Sequence, residues 1–225
     1  MNKIFDFDSP VMRFLSRMGD LMILNLVVFL CCLPIITIGA SVTAMHYVML
    51  KLVRGEEGYI LKDYFKSFKL NFRQATVIWL IMLAFIAVFV GDYIIFHFSI
   101  IEFPKVLIIL VLAIALLLFM LSTYIFPVLS RFDNTIKNTI KNGCIMSLLA
   151  IPKAMLMVLL TVSPILIIWF IPQATVLVFI FGISLPAYLS AMLYSGTFKR
   201  FEPEEESAEE EVFHVTFDEE EEAAG

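Results

Sequence analysis

Long apolar runs separated by short polar segments set the pattern of this chain. Four of them, Ala75 to Phe96, Val106 to Phe126, Ala154 to Ile171 and Ala174 to Tyr194, each come close to the roughly 20 apolar residues that cross a bilayer core of about 30 Å. Asp92 is the one formal charge inside these four stretches. A fifth run, Leu21 to Leu50, holds thirty residues without a formal charge when His46 is neutral. As one straight helix it would be about 45 Å long, too long for a single upright span. Pro34 and Gly39 stand in its middle. Proline lacks the backbone donor and crowds the preceding turn, while glycine tolerates the dihedrals of a reversal. The pattern therefore predicts two helices, Phe14 to Leu33 and Ile38 to Arg54, joined by a structural turn at Pro34, Thr37 and Gly39.

Composition agrees with this pattern. Of the 225 residues 60% are hydrophobic and the mean hydropathy is +0.92, above the roughly half-apolar mix of soluble domains. The expected fold is all-α: a polytopic membrane helix bundle of about six transmembrane helices in three hairpins. Asp6, Asp8 and Asp20 ahead of the first run, with no small-residue cleavage site after a short one, disfavour a cleaved leader.

Charge then selects the number of spans. With six, the segments before Leu21, from Lys51 to Arg73, from Arg131 to Lys153 and after Tyr194 share one side and carry fifteen of the sixteen basic residues, leaving Lys105 opposite. With five, the split falls to twelve against four. Basic residues favour the cytoplasmic side of short loops, so six spans with both termini in the cytoplasm is the expectation. Cys31, Cys32 and Cys144 are read as reduced packing residues.

Two connectors on the basic side carry a pattern of their own. Phe65, Phe68 and Phe72 recur at helical spacing beside Lys66, Lys69 and Arg73, which predicts a membrane-surface helix with rings at the acyl boundary and cations at the headgroups. The segment Arg131 to Asn142 repeats the idea with Ile136, Ile140 and paired lysines, a weak hint of an internal repeat. After Phe201 the character changes. Residues 202–225 hold twelve acidic residues and no lysine or arginine, whereas residues 1–201 carry +7. This second unit reads as a disordered acidic tail; Val212 to Phe217 alternates in strand fashion, and plain disorder is preferred there over a short docking segment because six residues alone form no stable sheet.

Polar side chains within the spans are the remaining candidates for chemistry, because hydrocarbon penalises them. Asn25 and His46 either face a central route with Asp92 at its outer mouth, or bond to neighbouring helices while Asp92 is wetted at the interface; the second reading is preferred. Pro127, Pro164 and Pro186 are expected to kink their helices. No phosphate-cradling glycine loop, paired zinc histidines or serine nucleophile on a tight turn is present. No enzymatic activity, cofactor, metal or nucleic-acid partner is expected.

Leu33-Pro34-Ile35-Ile36-Thr37-Ile38-Gly39-Ala40, Lys51-Leu52-Val53-Arg54-Gly55-Glu56-Glu57-Gly58 and Phe65 to Ala75, with Phe126-Pro127, Arg131-Phe132-Asp133 and Ile140-Lys141-Asn142 further on, resemble the YesL family of bacterial integral membrane proteins. The resemblance covers about residues 4–200 and leaves the acidic tail outside it. That family has no established molecular function. Its members are often found beside genes for carbohydrate uptake and degradation, which implies a role near sugar import. The expectation is an accessory or scaffold protein meeting the bilayer and either carbohydrate importer subunits or a second copy of itself. An autonomous small-solute transporter or channel is the alternative.

Single cysteines at Thr37 and Ile101 are expected to label from outside the cell, and those at Ser67, Asn138 and Ser207 only after permeabilisation, given the fifteen-to-one basic asymmetry. External labelling at Ser67, or protection of Thr37 alongside an externally labelled N-terminus, would overturn the six-span topology.

Overall fold

The computed structural model describes residues 10–56, 58–98 and 104–202. The acidic segment 203–225, the strand-like Val212 to Phe217 and the chain around Ile101 lie outside the described residues. Among the described residues there are no strands. The helices are α1 (Pro10–Cys32), α2 (Ile38–Arg54), α3 (Ile60–Phe98), α4 (Lys105–Ser122), α5 (Ile125–Arg131), α6 (Ile136–Leu149), α7 (Ile151–Phe170), α8 (Thr175–Phe181) and α9 (Ser184–Phe198), with single 3₁₀ turns at Ile35–Thr37 and Pro172–Ala174. Five helical segments are long and apolar enough to cross a membrane, and α8 with α9 makes a sixth when the bent pair counts as one span. Helix is the form that such apolar runs take in hydrocarbon, because it closes every backbone hydrogen bond within the segment.

The α1–α2 reversal falls where proline and glycine predict it, for a partly different reason. Pro34 is extended, and the Thr37 hydroxyl donates to the carbonyls of Cys31 (2.6 Å) and Pro34 (2.8 Å), closing the end of α1. Gly39, however, is helical and lies in the first turn of α2; among the described residues Gly55 alone has a positive φ. Close approach explains Gly39: a Cβ there would sit 2.5 Å from the Ala75 carbonyl oxygen and 2.6 Å from Trp79 Cβ. Trp79 Nε1 donates to the Ile35 carbonyl at 2.8 Å, fastening the turn to the middle of α3. Gly55 ends α2 in a Schellman arrangement, its N–H bonding Leu52 O and that of Glu56 bonding Lys51 O.

Around α2 the core is assembled. Ala44, Met45, Val48 and Met49 are buried with Leu24 and Val28 of α1, Ala191 and Tyr194 of α9, and Val128 of α5, while Ala40 is buried with Ala75 and Ile78 of α3 and Ile125 and Leu129 of α5. The small residues at the start of α2 let neighbouring backbones approach, the usual basis of helix cohesion where lipid removes any hydrophobic driving force.

Two expectations change here. The membrane-surface helix is not a separate element: Phe65 to Arg73 form the opening turns of α3, whose 39 residues make a helix about 58 Å long. Neither Gly nor Pro occurs between Gly58 and Gly91, so nothing stops the helix at the expected boundary. Tyr64, Ser67, Ala75 and Ile78 form its buried face, and Phe68 turns inward to stack on Tyr64 (6.1 Å) beside Phe72 (5.5 Å). Phe65 and Phe72 stay exposed next to Lys66, Lys69 and Arg73. Because Ser67 is buried, Lys69 is the better labelling position on this segment.

The predicted span Ala174 to Tyr194 is likewise broken into α8 and α9, bent by 61° at Gly182 and Ile183. Pro186 has no N–H to return to the Gly182 carbonyl and its ring opposes that group, so the ladder opens one turn earlier. Pro127 stands in the same relation to the α4–α5 break at Thr123 and Tyr124, whereas Pro164 sits inside a continuous α7. The second basic connector becomes α6, which packs along α4 and α5: Gly143 meets Ile125, and Ser147 Oγ donates to Met120 O at 3.0 Å.

Gly39→Val forces α2 off α3 and should lower melting temperature and folded yield in detergent, at an overpacking cost of about 1–3 kcal/mol. Pro34→Leu should lower yield to a smaller extent. Ile36→Val, at a 57% exposed side chain, should change neither. Equal yields for all three variants would show that the turn does not depend on close docking against α3.

Candidate functional site

The polar groups of the bundle gather along α2 and α1 and face other helices. Asn25, 3% exposed and in the middle of α1, sits opposite the α8–α9 break. Its Oδ1 accepts from the N–H groups of Ile183 (2.9 Å) and Ser184 (3.0 Å), and its Nδ2 donates to the Phe179 carbonyl (2.8 Å). One amide thus closes three backbone groups exposed by the break, each of which would cost about 1–3 kcal/mol if left buried and unpaired.

Two more polar ties lie on α2. Ser41 Oγ is 2.7 Å from the Tyr64 hydroxyl and reaches Val28 O at 3.3 Å, linking α1, α2 and α3. His46 Nδ1 is 3.3 Å from the hydroxyl of Tyr194, which donates to the His46 carbonyl at 3.3 Å, and the two rings meet edge to face. The Tyr194 ring also packs against Tyr124 and Phe198, continuing an aromatic layer into α5 and along α9.

At the basic end of the bundle a cluster of charge closes the structure. Glu202 Oε1 accepts from Arg54 Nη2 (2.6 Å) at the end of α2 and from Arg131 Nε (2.9 Å) at the end of α5. The Arg54 and Glu202 side chains are 6% and 3% exposed. Burial alone would raise the Glu202 carboxyl, but the hydrogen bond and charge of Arg54, joined by Arg131, hold it below the ordinary 4.5. Near them Lys153 Nζ donates to Thr197 Oγ1 (3.1 Å), and Lys51 pairs with Asp63 (3.0 Å).

Of the residues singled out in the sequence, Asn25 and His46 are thus bonded to neighbouring helices, Gly39 lies against α3, and Pro34 and Thr37 shape the turn that Trp79 of α3 holds at Ile35. Asp92 stands apart, half-exposed toward the far end of α3, without a hydrogen bond or ion pair among the described residues. Tyr64, Tyr194, Arg54, Arg131 and Glu202 were not singled out. Nothing local marks them: Tyr194 falls at the end of an apolar run, and Glu202 opens an acidic block whose other members share its composition. The described His, Cys, Asp and Glu residues form no group of three or more placed to hold a metal. Two cavities of about 380 Å³ flank the core, one between α3, α4 and α6, the other between α7, α8 and α9. Asn25, His46 and Asp92 line neither.

Fold and polar ties together define an all-helical polytopic membrane bundle, closed by interhelical hydrogen bonds and one ion cluster. A family model described as a protein of unknown function, DUF624, matches residues 21–93, from α1 through most of α3, and the chain is similar to that family over this stretch. No curated protein and no solved structure matches the chain.

Asn25→Leu orphans the groups at the break and should destabilise the detergent-solubilised protein by about 3 kcal/mol or more. Asp92→Asn should leave its melting temperature unchanged. Because the folded pKa of Glu202 is depressed, its contribution is present above about pH 4.5 and is lost as pH falls through the lower folded value. Thermal melts from pH 7 to pH 3 should therefore fall more steeply for the parent than for Glu202→Gln, which is already weakened at pH 7.

Proposed function

We propose that this chain is a non-enzymatic accessory protein of the bacterial cell membrane, a scaffold that associates with another membrane complex, with the basic end of the bundle facing the cytoplasm. The observation that carries this reading is the state of the intramembrane polar groups: Asn25, Ser41 and His46 close on helices of the same chain, as a rigid support requires, and none of them lines either of the two cavities described above. The orientation draws on the positive-inside preference, since Lys51, Arg54, Lys62, Arg131, Lys199 and Arg200 all lie toward one end. A carbohydrate importer is the proposed partner, on the strength of the resemblance to the YesL family; the match over residues 21–93 supports that resemblance.

Glu202 gives the scaffold a geometric element. Glu202, the first carboxylate of the acidic segment in the sequence, is held between Arg54 and Arg131 at the basic end of the bundle. Such a segment repels an anionic leaflet and is suited to a basic surface on a partner.

One observation favours transport instead. A span broken in mid-course, as α8 and α9 are, is the construction by which many secondary transporters build a substrate site. In this chain the break is filled by the Asn25 side chain, so a transport cycle would have to dislodge it.

Cross-linking in native membranes, followed by identification of the captured proteins, tests the proposal. Full-length chain should capture importer subunits, and deletion of residues 203–225, which leaves Glu202 in place, should reduce capture without reducing membrane insertion. Capture of no importer component would remove the accessory reading. Solute uptake by the purified, unsubstituted protein in liposomes would put the transporter in its place.

A further inference from the structure

The cavity between α3, α4 and α6 is a groove whose chemistry defines its occupant. Trp79 and Phe85 of α3, Ala115 and Phe119 of α4, and Ile140 and Cys144 of α6 are among its lining residues, and at about 380 Å³ it falls in the range of pockets that hold small organic molecules, about 300–1,000 Å³. The strong hydrogen-bonding side chains on its wall are already committed: Trp79 Nε1 donates to Ile35 O, and Ser122 Oγ donates to Phe119 O, which leaves the weakly polar Cys144 thiol. A polar solute would find little to bond there, whereas a hydrocarbon chain would lose nothing.

The basic end of the groove carries a complementary feature. α6 rises antiparallel to α5 and α4, with Gly143 at Ile125 and Ser147 at Met120, so its earlier residues lie nearer the basic end. Lys137 and Lys141 stand one turn apart on α6, exposed, on the flank next to Ile140 and Cys144. Neither has an ion-pair partner among the described residues. Two unneutralised cations at the headgroup end of an apolar groove, in a helix bundle that spans a membrane, match one molecule with a charged head and a long tail.

We infer that this groove is a binding site for an anionic phospholipid, with one acyl chain between α3 and α4 and the phosphate against Lys137 and Lys141. The site differs from a general affinity for the surface, because it requires chain and headgroup to be held together by α6. Each lysine near an anionic headgroup should favour binding about fivefold.

Trp79 supplies the readout, since it lines the groove and Trp169, on the exposed end of α7, is the chain's other tryptophan. In full-length Trp169→Phe protein reconstituted in phosphatidylcholine nanodiscs, a small fraction of phosphatidylglycerol with brominated chains should quench Trp79 well beyond its mole fraction, and brominated phosphatidylcholine should not. Lys137→Gln and Lys141→Gln should each weaken the preference roughly fivefold and together roughly 25-fold. Ala115→Phe, which fills the groove while leaving both lysines, should abolish it. Equal quenching by the two lipids in the unsubstituted groove would mean bulk lipid only and would overturn the proposal. A preference that survives Ala115→Phe would overturn it too, by placing the lipid on the surface. The comparison of lipids needs only the Trp169→Phe background, with groove and lysines unaltered, and melting temperature checks that each substituted chain is folded.

Discussion

A backbone group buried in hydrocarbon must find a hydrogen bond within the protein, and the contact between Asn25 and the α8–α9 break is where this chain meets that requirement most directly. Pro186 opens the helix ladder, and water is not there to close it. The amide of Asn25 does so by acting as acceptor for two N–H groups and donor to one carbonyl. The bend of 61° therefore has a fixed position, and α9 leaves it on the course that brings Tyr194 to His46 and Glu202 to Arg54. A break without such a partner would slide or straighten.

The same requirement explains why α2 is central. It is flanked by α1, α3, α5 and α9, and its early residues are small, so four neighbours can approach it. Close approach is tightest at Gly39, where Ala75 and Trp79 occupy the space of a side chain. The turn that precedes it is held by Thr37 from within and by Trp79 from α3, which makes the first three helices a single unit. The family match spans this unit. The partners that complete its polar ties, Tyr194, Arg131 and Glu202, come from beyond it.

The outer half of α3 and the whole of α4 are built differently. No residue of α4 is buried, and the exposed Phe85, Val88, Ile109 and Leu112 are matched to hydrocarbon and to little within the chain. A packed core thus adjoins an arm matched to lipid, with a groove of about 380 Å³ at their junction.

Helix type, a count of five to six apolar spans and the position of the first reversal were legible from the sequence, because hydrocarbon imposes a length and a penalty on backbone breaks that act residue by residue. The range Ile38 to Arg54 coincides with α2 for that reason. Asn25 and His46 could be recognised as costly residues in an apolar run, yet their partners lie about 150 residues away, and no local pattern specifies them. Gly39 could be marked as unusual, but whether it served a dihedral or a close contact was decided by α3. The aromatic stripe of Phe65, Phe68 and Phe72 predicted a surface helix, and tertiary packing turned Phe68 inward, because α3 continues through its basic turns and α2 supplies Ser41 to meet Tyr64. Periodicity tells which residues share a face; which neighbour that face meets depends on long-range pairing, and in this chain the pairing is set by hydrogen bonds that only the assembled helices can make.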